Sequence, residues 1–191
     1  MVQTKEGFKI RFNKNRIVFL SILCLIVLSI LFIYLYTPKS IRSVNYNGQI
    51  LNFRVDLREA DKIPVRPDEQ SLYTEFMNPS IENITIAFKS ASAEENSYYM
   101  LEVIEIVLKL SVGYSTLNIS PNFNRDPIIV DSYEDLSGTS EDPVIALVHP
   151  VYSNETGILL KNHVIFIEAK NYRDFDLATV KFLMVALGIK I

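Results

Sequence analysis

The stretch Glu141–Pro150, EDPVIALVHP, is where residue types and spacing come nearest to chemistry. An apolar run ends in His149-Pro150, and ligands of open α/β sheets gather outside the carboxyl ends of strands. An imidazole there can move a proton near neutral pH. Glu141 and Asp142 are the nearest acids in sequence. If 144–148 is a strand, they stand at its other end, more than about 20 Å from His149 at roughly 3.3 Å per residue. They cannot pair with it. His149 is therefore a weak ligand-binding candidate, on which a small-ligand site or a cryptic hydrolase would have to centre.

The other candidates fall away on spacing. His163 stands beside an expected turn, and two histidines without a supporting pattern do not make a zinc site. Asp126, Asp131, Glu134 and Asp135 lack the alternating spacing and glycine of a calcium loop, and read as a solvated loop. Ser137-Gly-Thr-Ser140 lacks the lysine and second glycine of a phosphate loop, and no G-x-S-x-G elbow occurs. Glu102 and Glu105 are in principle paired carboxylates. Glu105 and Lys109, however, have the i,i+4 spacing of a helical ion pair, which explains them more simply. No catalytic residue, metal site or cofactor is expected.

The elements that position these residues follow from periodicity. Ser43–Val55 alternates around Asn47-Gly48, a strong hairpin signal because both residues accept positive φ. Asp56–Pro67 reads as a helical turn and an extended piece, and Asp68–Met77 as a short helix stopped at Asn78-Pro79. Ile84–Phe88 is a strand. Ser92-Ala-Glu-Glu95 is a capping box opening a helix to about Val112. That helix is apolar nearly all round, with Glu102, Glu105 and Lys109 on one stripe. Strands are expected at Leu117–Ile119, Ile128–Val130 and Val144–Val148, with a hairpin over Gly157–Glu168 turning at Lys161-Asn162. Asp174 would cap a last helix, Phe175–Leu187, closed by Gly188. The run from Ile84 to Ile119 is long enough for a parallel crossover. The fold class expected is α/β, a mixed sheet with at least two packed helices, preceded by one transmembrane helix.

That span is Ile17–Tyr36, twenty residues without charge, proline or glycine, about 30 Å long as a helix and matched to a bilayer core. Tyr34 and Tyr36 suit the interface. Lys5, Lys9, Arg11, Lys14 and Arg16 precede it against a single Glu6, so residues 1–16 are expected to form a basic cytoplasmic tail and residues 37–191 an extracytoplasmic domain. The exit Tyr34-Leu-Tyr-Thr-Pro38 is too bulky for a signal-peptide cleavage site. Beyond the span stand 14 Lys+Arg against 21 Asp+Glu, which argues against nucleic acid as a partner. The only cysteine is Cys24, so no disulfide can form within the domain. Three glycosylation sequons begin at Asn83, Asn118 and Asn154. Asn154 is best placed, in a polar loop, and Pro121 makes Asn118 a poorer acceptor.

The segment DPVIALVHP through HVIFIEAKNYRDFDLATVKFLMVALGI, within residues 141–188, resembles a module of archaeal S-layer proteins. There a strand, a turn and a hairpin lead to a helix opened by Asp and rich in Ala, an outline that Asp174, Asp176, Ala178 and Ala186 fit. His149-Pro150 stands where that module has a Gly-Gly-Pro-type turn. With its DLREA, ITIAF and FDLATVKFLMVALGI segments, the whole chain resembles uncharacterised single-pass membrane proteins of small-genome archaea. The resemblance implies a membrane anchor and an external α/β domain, and no assigned activity. The expected role is that of a membrane-anchored cell-envelope protein whose external domain binds another membrane or envelope protein. A large exposed apolar patch would favour it, most of all on the Asp174–Leu187 helix.

Overall fold

The computed structural model describes residues 22–29, 32, 40–123 and 127–191. The chain divides into two units, Met1–Lys39 and Ser40–Ile191. In the first, residues 22–29 are helical (α1), and the Ser29 hydroxyl donates back to the Leu25 carbonyl at 2.8 Å. The rest of the expected span 17–36, Phe32 apart, lies outside the described residues, as does the basic tail 1–16. Among the described residues no helix is long and apolar enough to cross a membrane.

The second unit opens with the expected hairpin, β1 (Ser43–Tyr46) and β2 (Gln49–Asn52). Asn47 and Gly48 take the positive φ values that its tight turn requires. The elements α2 (Leu57–Ala60), β3 (Val65–Arg66) and α3 (Glu69–Phe76) follow, the two helices capped by Asp56 and Asp68. Then come β4 (Asn83–Lys89) and α4 (Ala93–Thr116), with the Ser92–Glu95 capping box closed in both directions. The chain ends through β5 (Asn122–Phe123), β6 (Ile128–Val130), β7 (Val144–Val148), β8 (Gly157–Lys161), β9 (Val164–Glu168) and α5 (Tyr172–Ala186).

Seven strands form one mixed sheet in the order β3-β8-β9-β7-β4, with β5 and β6 both beside β4 at different heights. Strands β9, β7, β4, β5 and β6 run parallel, while β8 pairs antiparallel with β9 and β3 follows β8. The β4–α4–β5 unit is the expected parallel crossover. The central strand β7 is buried along its whole length, which a Val-Ile-Ala-Leu-Val run permits.

Three expected boundaries are corrected. Leu117–Ile119 is not a strand: α4 continues to Thr116 and Asn118 turns the chain with φ 55°, so the parallel strand waits until Asn122. The second hairpin turns at Asn162-His163, both at positive φ, one residue later than expected. The last helix is capped by Asn171, whose side chain accepts from the Asp174 amide. Asp174 thus lies inside the first turn, where its charge favours the helix dipole.

The two faces of the sheet are covered differently. Ile84, Ile86, Phe88, Ile145, Leu147, Ile165 and Ile167 join the helices in the main core. Within it α5 is buried from Leu177 to Leu187. Its one buried cation, Lys181, reaches Asp61 at 2.7 Å and Glu69 at 2.6 Å. Burial works against its charge, and those two carboxylates outweigh it, raising the ammonium above its usual range. The opposite face has small residues, Ala87, Val144, Ala146 and Val164, under Tyr133 and Leu136 of the loop after β6. Gly138 holds that loop against the second hairpin: a Cβ there would stand 2.5 Å from the His163 carbonyl oxygen and 3.1 Å from the Asp142 carbonyl oxygen. Backbone cannot yield as a side-chain tip does. Gly138→Ala is therefore expected to cost about 1–2 kcal/mol in urea unfolding, with faster amide exchange across residues 131–142. Unchanged exchange there would rule out the clamp.

Candidate functional site

His149 ends β7 as expected, but it points inward. The residue is 1% exposed, and its ring lies between Tyr99 and Tyr172, 5.2 and 5.0 Å away. Nδ1 accepts from the Val151 amide at 3.2 Å, which places the proton of the neutral ring on the buried Nε2. Burial lowers the imidazole pKa and Glu95, 3.9 Å away, opposes this, so the ring is neutral at pH 7. The His149 amide donates to the Tyr99 hydroxyl at 2.9 Å. Three surface cavities among the described residues lie elsewhere: beside the Tyr133 loop, between α3 and Ser140, and between α3 and the end of α5. None is lined by His149. These contacts belong to a corner that fastens β7 to α4 and α5. Tyr99→Phe removes the acceptor of a buried amide, with an expected loss of about 1–2 kcal/mol, read as a lower urea midpoint at pH 7. An unchanged midpoint would remove that role.

The remaining sequence candidates separate in space. His163 is a turn residue whose Nδ1 lies 2.8 Å from Glu75. Asp131, Glu134 and Asp135 are exposed in their loop, while Asp126 lies outside the described residues. Among the described residues no group of acids, histidines and cysteine could hold a metal. Asn154 and Asn118 are exposed in loops. Asn83 is half-buried in β4, its amide donating to Asp142 at 2.6 Å, so that amide is already engaged.

The informative element is α4, which is turned inside out. Its charged stripe faces the protein: Glu102 is 0% and Glu105 7% exposed. Leu101, Ile104 and Leu108 face outward at 54%, 51% and 61%. Two apolar phases compete on this helix. The inner one holds Tyr99, Val103, Ile106, Leu110 and Tyr114, all buried. It wins because it buries two aromatic rings and supplies close packing where the outer phase has only serines at Ser97, Ser111 and Ser115. Gly113 belongs to the inner phase: Leu187 fills the space its side chain would take.

Burying the charged stripe is tolerated because one residue answers it. Arg54, just past β2, bonds Glu102 and Glu105 and lies 3.3 Å from Asp176 on α5. The expected pair forms as well, with Lys109 Nζ 2.9 Å from Glu105 and over the Phe53 ring at 4.9 Å. The Tyr98 hydroxyl donates to Asp176 at 2.7 Å. Three carboxyls thus face two cations. Burial, with Asp176 alongside, pushes Glu102 up to about 8, against the opposing pull of Arg54. A proton on Glu102, which its burial favours, leaves two negative charges facing two positive ones. Sequence reasoning assigned Glu105 correctly and missed Arg54, for which an arginine in a strand-rich stretch gives no local signal.

The inversion leaves a stripe of exposed aliphatic side chains, Met100, Leu101, Ile104 and Leu108, along α4, with Ile128 and Ile129 exposed on the edge strand β6. The expected site for such a patch, the Asp174–Leu187 helix, is instead core. No protein-family model, curated protein or solved structure matches the chain.

Proposed function

We propose that this is a membrane-anchored envelope protein, held by residues 17–36 with its basic tail in the cytoplasm, whose external α/β domain docks another protein through the outer face of α4. The observation that carries this reading is the stripe Leu101, Ile104 and Leu108, each more than half exposed, on a helix whose mid-helix acids Glu102 and Glu105 turn inward. A partner that covers it makes that arrangement favourable. Each fully buried aliphatic side chain contributes about 1.5–3 kcal/mol. A lipid surface fits less well, because interfacial helices flank their apolar face with Lys or Arg. The single cation on α4, Lys109, is already held by Glu105.

The test is crosslinking of the tagged full-length protein in its native membranes, with and without the paired changes Leu101→Glu and Leu108→Glu. A protein recovered near equal stoichiometry, and lost at least tenfold from the variant, is the expected result. Equal recovery from a variant with an unaltered circular-dichroism spectrum would place docking elsewhere and end this reading.

A further inference from the structure

We infer that the cavity between the Tyr133 loop and the second hairpin binds an apolar α-amino acid. It shares no residue with the outer face of α4. Leu159, Phe166, Ala146 and Ala87 stand opposite one another across β8, β9, β7 and β4, so all four lie on one face of the sheet. The loop after β6 lays Tyr133 and Leu136 over the alanine half of that row. Leu159 and Phe166 stay half-buried, the apolar floor of a cavity of about 270 Å³.

The wall of this cavity is pinned at both ends. The Tyr133 hydroxyl donates to the Leu147 carbonyl at 2.7 Å and accepts from the Lys89 amide at 3.0 Å. Further along the loop, the Gly138 amide donates to the Asn162 carbonyl at 3.4 Å. A preformed hollow with an apolar floor and a few convergent polar groups is the usual form of a small-ligand site.

Charge selects the ligand. Three charged residues line the cavity, Glu134, Lys161 and Glu168. Glu168 is already engaged, accepting from Arg66 at 3.4 Å and from the Ser153 hydroxyl at 3.2 Å. Glu134 and Lys161 are of opposite sign, and among the described residues neither side chain has an ion pair or hydrogen bond, with each other or with anything else. A simple anion would meet Lys161 and be repelled by Glu134, and a simple cation the reverse. A molecule carrying both a carboxylate and an ammonium answers both, while its apolar part covers Phe166 and Leu159. Asn162, beside Lys161 in the lining, adds a carboxamide that can donate to the carboxylate. Size narrows the class: the volume lies just below the roughly 300–1,000 Å³ of drug-sized sites, which suits one amino acid and not a nucleotide or a folded peptide.

The experiment is equilibrium dialysis of the full-length protein against labelled L-phenylalanine and L-leucine. Phenylpropanoate, which lacks the ammonium, and phenethylamine, which lacks the carboxylate, are run beside them. Saturable binding of an amino acid, one molecule per chain and at least tenfold tighter than either analogue, is the expected result. Lys161→Met and Glu134→Gln, both at exposed positions, should each weaken it at least tenfold with an unaltered circular-dichroism spectrum. Phenylpropanoate should lose affinity in Lys161→Met and not in Glu134→Gln. No saturable binding of either amino acid would overturn the site. Binding that survives both substitutions would place the ligand elsewhere and overturn it as well. An analogue that binds the wild type as tightly as the amino acid would overturn the zwitterion, and that comparison needs no variant to fold.

Discussion

Arg54→Met is expected to lower the stability of the domain by about 2–4 kcal/mol. Arg54 reaches all three acids at once: Glu102 and Glu105 on α4 and Asp176 on α5. Removing one partner of a buried ion pair costs about 3–5 kcal/mol, because the charge left behind has neither water nor a counter-ion. The figure here is smaller because the Arg54 side chain is 37% exposed and water screens part of its interaction. Methionine keeps the length of the side chain and so isolates the charge. The decisive measurement is a double-mutant cycle in urea with Glu105→Gln, the other buried acid that Arg54 bonds. If the pair is the source of the loss, Glu105→Gln will restore much of it in the Arg54→Met background. Additive losses would mean that Arg54 acts through packing of its stem alone.

This cluster also marks where the sequence is legible and where it is not. Asn47-Gly48, the Ser92 capping box and the alternating hairpin over Gly157–Glu168 are local signals, and the elements they announce are present. The run Val144–Val148 announced a strand buried on both sides for the same reason. The fate of α4 is not local. Both of its faces are apolar, so periodicity leaves its rotation undetermined. The deciding contacts come from Arg54, 48 residues upstream of Glu102, and from Leu187, which packs at Gly113. The rule that charges face water would have placed Glu102 outside and Leu108 inside. His149 fails differently: strand ends are where ligands gather in open sheets, but here Tyr99 and Tyr172 close over the ring.

Glu102 makes stability fall as pH rises from 5 to 8, against the habit of most carboxylates. Its pKa, pushed to about 8 in the folded chain by burial and by Asp176 alongside, lies above the 4.5 of the free group. Between those values the folded state holds one more proton than the unfolded state, and stability declines with pH wherever that is so. The contribution is complete below about 4.5, is lost progressively up to about 8, and is flat beyond. His149 works the other way. Its burial-lowered pKa leaves the unfolded chain with more proton below the ordinary histidine value of about 6.5, so its effect rises with pH and is exhausted near neutrality. From pH 7 to 8 Glu102 acts without that opposition. The measurement is the urea midpoint at half-unit steps from pH 5 to 9, for the wild type and Glu102→Gln. The amide has nothing to ionise, so the difference between the two curves should grow up to pH 8 and then level. A constant difference across that window would mean that Glu102 is ionised at neutral pH. The cluster would then hold three negative charges against two positive ones, and the proton that balances the buried face of α4 would not be there.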